Sequence, residues 1–278
     1  LKRKSVLDLR KKADNDEKIV MVTAYDFTMA RLVDAAGVDM VLVGDSLGMV
    51  VQGHDDTLPV SMDHMVYHVQ CVSRGLKKAH LVADMPFMSY QVDPSQALIN
   101  AGRLMQEGGA NSVKLEGGER SAEAIRRCVE AGIPVVGHVG LTPQSVHAMG
   151  GFRIQGRTEE AAERVILDAV AVAEAGAFCL VLEGIPTDVA AEITNRLDIP
   201  TIGIGAGVHC SGQVLVCNDI LGMDLSFAPK FVKRYARIEE TAVAAFEAFA
   251  SEVRSGEFPG PDHSFSRKRA PRTVAKLY

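Results

Sequence analysis

Short apolar runs alternate with longer amphipathic stretches along almost the whole chain, and several of the apolar runs end alike. Val41-Leu42-Val43-Gly44 leads straight into Asp45. Leu81-Val82-Ala83 leads into Asp84, Val113-Lys114-Leu115 into Glu116, and Leu180-Val181-Leu182 into Glu183. A brief apolar run bounded by glycine reads as a strand buried on both faces. The pattern predicts strands over 19–24, 40–44, 80–83, 112–115, 134–138, 178–182, 201–204 and 226–231. Helices are expected over 27–36, 62–76, 94–106, 122–130, 159–174, 188–196 and 213–221. Ala-Gly or Gly-Ala recurs just before strands (Ala36-Gly37, Gly109-Ala110, Ala131-Gly132, Ala175-Gly176), where a left-handed glycine ends the preceding helix. Strict strand–helix alternation implies parallel strands joined by crossover helices. Eight units favour a closed α/β architecture, the (β/α)8 TIM barrel, over an open doubly wound sheet with the same periodicity.

At 278 residues the chain matches the roughly 250 that such a barrel needs. The reading is one barrel domain over 1–278, with an N-terminal helical extension at 1–16 lying outside the main fold and a C-terminal tail at 256–278. Between barrel and tail a last amphipathic helix is expected over 238–253. The tail is basic, carrying Arg267, Lys268, Arg269, Arg272 and Lys276.

Composition changes this picture mainly by exclusion. Hydrophobic residues make up 47% of the chain with no Trp, so the core is aliphatic. A net charge of −5 gives no general attraction to nucleic acid or to an anionic membrane. No apolar run approaches the roughly 20 residues that span a bilayer. Five scattered cysteines without C-x-x-C spacing read as free thiols in a reducing, cytoplasmic compartment. The first residues lack the apolar core of a secretory signal and an initiator Met, which leaves room for a trimmed targeting segment.

Parallel strands of a barrel open their C-terminal ends at one mouth. Asp45, Asp84, Glu116, His138 and Glu183 would meet there. One acid after an apolar run is an ordinary start to a loop; four in the same register are not. Carboxylates held close repel unless a cation neutralises them or one keeps its proton. Oxygen ligands without Cys suit a hard cation, Mg²⁺ before Zn²⁺, acting as a Lewis acid on a carbonyl. Lys114 lies two residues before Glu116 and points into the barrel, where a lysine needs an anion. Other signals are weaker. Gly203-Ile204-Gly205-Ala206-Gly207 is expected to turn tightly or approach a ligand. His64 and His68 read as a solvated helix face, and Cys210 and Cys217 as packing residues.

Several longer motifs carry a resemblance. They are Val43-Gly44-Asp45-Ser46-Leu47-Gly48-Met49, Gln52-Gly53-His54-Asp55, Ala83-Asp84-Met85-Pro86-Phe87-Met88 and Val113-Lys114-Leu115-Glu116-Gly117-Gly118. Gly137-His138-Val139-Gly140-Leu141-Thr142-Pro143-Gln144-Ser145, Leu182-Glu183 and Ile202-Gly203-Ile204-Gly205-Ala206-Gly207 continue the series. The chain resembles the ketopantoate hydroxymethyltransferase family from about Thr23 to Phe265.

The resemblance implies transfer of a hydroxymethyl group from 5,10-methylenetetrahydrofolate to 3-methyl-2-oxobutanoate through a Mg²⁺-stabilised enolate. The product is 2-dehydropantoate, on the route to pantothenate. It further implies Mg²⁺ at Asp45, Asp84 and Glu116, the last either directly or through water, and the oxo-acid at Asp45, Ser46, Asp84, Lys114 and His138. Glu183 takes the place of the general base, and a homodecamer is the implied assembly. The competing expectation is a Mg²⁺-dependent 2-oxo-acid lyase or phosphonomutase of the isocitrate lyase type. Its hallmark, a reactive cysteine in a Lys-Lys-Cys-Gly-His-like stretch, is missing from this sequence.

Overall fold

Eight parallel strands close on one another in chain order in the computed structural model, which describes residues 2–226 and 228–267. They are β1 (Ile19–Thr23), β2 (Met40–Val43), β3 (His80–Asp84), β4 (Ser112–Glu116), β5 (Val135–Gly140), β6 (Cys179–Glu183), β7 (Thr201–Ile204) and β8 (Gly212–Leu215). Alternate residues of each strand point inward, so Met21, Met40, Val82, Val136, Val181 and Val214 fill the barrel itself. The opposite faces carry Val41, Leu81, Val113 and Leu180 against the surrounding helices in a larger second core. This is the (β/α)8 TIM barrel that the strand–helix alternation predicts. The left-handed glycines fall where expected, with φ of 82° at Gly37, 83° at Gly132 and 97° at Gly176.

The N-terminal helix, Val6–Asp14, does not lie outside the main fold as expected. It closes the N-terminal end of the barrel, with Leu9 buried among the interior residues and Ala13 packed beside it. A capping box between Ser5 and Asp8 starts it. Lys12 and Lys4 tie it down through Asp39, at 2.7 and 3.1 Å, and Asp39 also accepts the Val20 N–H.

The eighth unit departs from the sequence reading. The last strand is Gly212–Leu215, where the helix over 213–221 was expected to begin, and only Cys217–Leu221 is helical. Residues 226 and 228–231 form no strand, and Phe227 lies outside the described residues. Gly212 must be glycine, because a Cβ there would lie 2.3 Å from the Ile19 carbonyl oxygen. Pairing of β8 with β1 over four residues overrides the weak strand propensity of Gly-Gln-Val-Leu. The β7–β8 connection carries no helix. After Leu221 the chain leaves the barrel and forms Ile238–Ser255, which has no buried residue. The tail beyond residue 267 lies outside the described residues. Among the described residues no helix is long and apolar enough to cross a membrane.

Candidate active site

Three of the four acids prove to be the last residues of their strands rather than the first of the loops. The sheet register then places two of them beside a basic neighbour, Asp84 with Lys114 and Glu116 with His138, while Glu183 pairs with Gly140. Asp45 follows β2 by two residues and donates its backbone N–H to Asp84 Oδ2, at 3.0 Å. Asp45, Asp84, Lys114, Glu116 and His138 are buried, whereas Glu183 keeps 17% of its side chain exposed.

Lys114 Nζ lies 2.9 Å from Asp84 Oδ1 and 4.0 Å from Glu116 Oε1. The first approach has ion-pair length but an unfavourable angle, so Asp84 Oδ1 has no directed hydrogen bond. His138 stands between two carboxylates, with Nδ1 3.4 Å from Glu116 Oε1 and Nε2 3.2 Å from Glu183 Oε2. Nδ1 is also 3.2 Å from Lys114 Nζ, a like-charge contact when both are protonated. Ser46 is half-buried at the start of a short helix, Leu47–Val50, and its Oγ lies 2.8 Å from the Tyr25 hydroxyl.

The electrostatics follow from burial and these contacts. Burial, then the charges of Asp84 and Glu116, push Asp45 well above the usual carboxylate range. Burial also raises Asp84, although Lys114 opposes it. In Glu116 burial is outweighed by His138, Lys114 and the Gln144 N–H, so its pKa is lowered. In His138 burial and Lys114 work against the proton, but Glu116 and Glu183 prevail and raise the pKa to about 9. Lys114 is likewise raised, burial being overcome by Asp84, Glu116 and Asp45. Four carboxylates thus face two cationic side chains. The excess of negative charge, and the proton that Asp45 tends to retain, are what one divalent cation would relieve.

Asp45 and Asp84, with Asp84 Oδ1 lacking a directed donor, fit a hard oxygen-liganded ion. Glu116 is held at one oxygen only, its Oε2 accepting the Gln144 N–H at 3.0 Å while Oε1 faces His138 and Lys114. As the side chains stand, no three His, Cys, Asp or Glu among the described residues converge on one ion position.

Gln144, Tyr90 and Tyr25 are the residues that the sequence reading does not single out. Gln144 sits in the turn Pro143–Ser145 after β5 and donates to Asp45 Oδ2 at 2.8 Å. Its only signal is its place in the Leu141-Thr142-Pro143-Gln144-Ser145 motif. The remaining expectations resolve as packing. Gly205 and Gly207 have positive φ, and a Cβ on them would meet Phe231 and Thr187. His64 caps its own helix while His68 bonds the Tyr25 carbonyl, so Nδ1 of each ring is engaged with backbone.

A barrel whose C-terminal mouth holds buried carboxylates, a lysine and a histidine is the architecture of an enzyme. The family model for ketopantoate hydroxymethyltransferase matches residues 3–261, and the chain belongs to that family. It is 58% identical over 265 residues to the 3-methyl-2-oxobutanoate hydroxymethyltransferase of Syntrophotalea carbinolica, covering 95% of this chain and 99% of that one. To the protein of the same name from Geobacter sulfurreducens it is 54% identical over 263 residues, with 95% and 98% covered. Among solved structures it is similar to a phosphonopyruvate hydrolase complexed with oxalate and Mg²⁺, with a TM-score of 0.61 at 13% identity and 94% and 93% covered. A 2,3-dimethylmalate lyase gives 0.59 at 18% identity, with 96% and 92% covered. At such low identity the latter two share the fold alone.

Proposed function

We propose that the chain transfers a hydroxymethyl group from 5,10-methylenetetrahydrofolate to 3-methyl-2-oxobutanoate, giving 2-dehydropantoate for pantothenate biosynthesis. Family membership supports the transferase reaction, and the observation that carries the mechanism is the excess of buried carboxylate at the C-terminal mouth. Asp45 and Asp84 would hold Mg²⁺, with Glu116 reached through water. Bound there, the ion supplies Lewis-acid stabilisation of negative charge on the ketone oxygen.

The protein groups do the rest. Lys114, with Ser46, compensates and orients the carboxylate end of the oxo-acid. Glu183 is the most accessible acid of the cluster and takes the proton from C3. His138 Nε2 lies 3.2 Å from Glu183 Oε2 without a directed hydrogen bond, so its influence on Glu183 is that of a nearby positive charge. Water supplies the oxygen of the transferred group: its addition to the methylene carbon and cleavage of both C–N bonds release tetrahydrofolate, and the enolate carbon bonds to the resulting one-carbon aldehyde, whose oxygen takes up a proton to become the hydroxyl. The competing lyase chemistry would instead break a C–C bond.

We also read the chain as a cytoplasmic homo-oligomer, in the manner of a decamer. Support comes from the free cysteines and from the unburied helix Ile238–Ser255. The test of the reaction is product formation from both substrates with Mg²⁺. Wild type should form 2-dehydropantoate only when the folate donor is present, and Glu183→Gln should slow this about 10²-fold or more. No product from wild type would overturn the reading.

A further inference from the structure

We propose that Gln144 is a positioning residue that orients the Asp45 and Glu116 carboxylates toward a cation, and that Tyr90 sets the orientation of Gln144. The inference rests on the metal reading of the site given above.

Gln144 is buried, and both atoms of its side-chain amide are doubly engaged. Nε2 donates to Asp45 Oδ2 at 2.8 Å and to the Met85 carbonyl at 2.9 Å. Oε1 accepts from the Tyr90 hydroxyl at 2.7 Å and from Gln91 Nε2 at 3.0 Å. An amide offers two donor hydrogens and two acceptor lone pairs, so this one is satisfied in full. The orientation is also unambiguous. The Met85 carbonyl can only accept, so reversing the amide would press oxygen against oxygen there.

Tyr90 enforces that orientation from the other side. Its hydroxyl accepts the Glu116 N–H at 3.1 Å, which leaves its single proton to donate. The Gln144 oxygen at 2.7 Å takes it in preference to the Glu116 carbonyl at 3.2 Å. Meanwhile the backbone N–H of Gln144 holds Glu116 Oε2 at 3.0 Å. One residue on the β5 loop therefore grips two carboxylates from other parts of the barrel, 99 and 28 positions away in sequence. A hydrogen bond to one oxygen fixes the plane of a carboxylate, and with it the direction of the second oxygen. Outer partners of this kind commonly cost 10–100-fold in metal affinity when removed.

A purely structural brace would behave differently: its loss would lower the melting temperature and leave metal affinity per folded molecule unchanged. The test is binding of Mn²⁺ alone to the full chain, followed by the electron paramagnetic resonance signal of the free ion, with thermal melting alongside. Gln144→Met keeps the length of the side chain and removes all four side-chain bonds. It should weaken Mn²⁺ binding about tenfold or more. Tyr90→Phe removes only the orienting hydroxyl and should weaken binding by a smaller factor. If Gln144→Met does not fold, Tyr90→Phe decides the question. Wild-type Mn²⁺ affinity in the folded variants would overturn the positioning role, even with a lower melting temperature. A wild-type chain that binds no Mn²⁺ would instead remove the metal reading, and this inference with it.

Discussion

Lys114 shows how one side chain can make an otherwise unstable cluster tolerable. Buried lysine and buried carboxylates are each expensive to desolvate, and each is kept charged by the other. Its approach to Asp84 at 2.9 Å and Glu116 at 4.0 Å therefore matters for folding as well as for substrate. At the opposite end of the barrel Asp39 plays the comparable structural part. Burial favours its protonated form, but Lys12, the Val20 N–H and Lys4 outweigh that and hold its pKa below the ordinary 3.8. A depressed folded-state pKa gives stability that is present above the unfolded value and lost as pH falls through the folded one. Asp39→Asn should cost about 2 kcal/mol at neutral pH. Its melting temperature should also fall less steeply than that of wild type below about pH 4. Parallel melting curves over that range would show that Asp39 is not linked to acid unfolding.

At the scale of elements, the helix Val6–Asp14 acts as a stopper for the barrel. Leu9 is its only buried residue and sits with Ile19, Met21 and Met40 on the barrel floor. Leu9→Ala should destabilise the protein by about 3 kcal/mol, as the cavity left in a closed barrel collapses poorly. Turnover should stay near wild type at 25 °C, because the mouth lies at the other end of the strands. A loss of turnover without a loss of stability would contradict this division of labour.

The seven strands from β1 to β7 were legible because each is a short apolar run stopped by glycine, proline or an acid. β8 was not, since Gly212-Gln213-Val214-Leu215 has little apolar character of its own and becomes a strand through its neighbours. The same limit explains the site. Asp45, Asp84, Glu116 and Glu183 recur in one register along the chain, whereas Gln144 and Tyr90 matter only through contacts across loops. The place of the stopper is hidden in the sequence because a lone buried leucine on a charged helix leaves almost no periodic trace.

For the whole molecule, the helix Ile238–Ser255 presents Val243, Phe246, Phe249 and Val253, each about half exposed or more. The barrel wall at β1 likewise leaves Val20 47% exposed, and no helix joins β7 to β8. Apolar surface on this scale is typical of an interaction face. Phe246→Asp should therefore shift the sedimentation of the protein toward smaller species. An unchanged assembly would exclude this helix from the subunit contacts proposed above.

Central to the proposed function is that acids from separate strands, gathered around one divalent ion, make the C3 hydrogen of a 2-oxo-acid labile. The direct test is exchange of that hydrogen for deuterium in 3-methyl-2-oxobutanoate, followed by proton NMR with wild-type protein and no folate. Exchange that requires Mg²⁺ and stops on chelation is the predicted result. Exchange at the uncatalysed rate with Mg²⁺ present, or at an equal rate without it, would contradict the account.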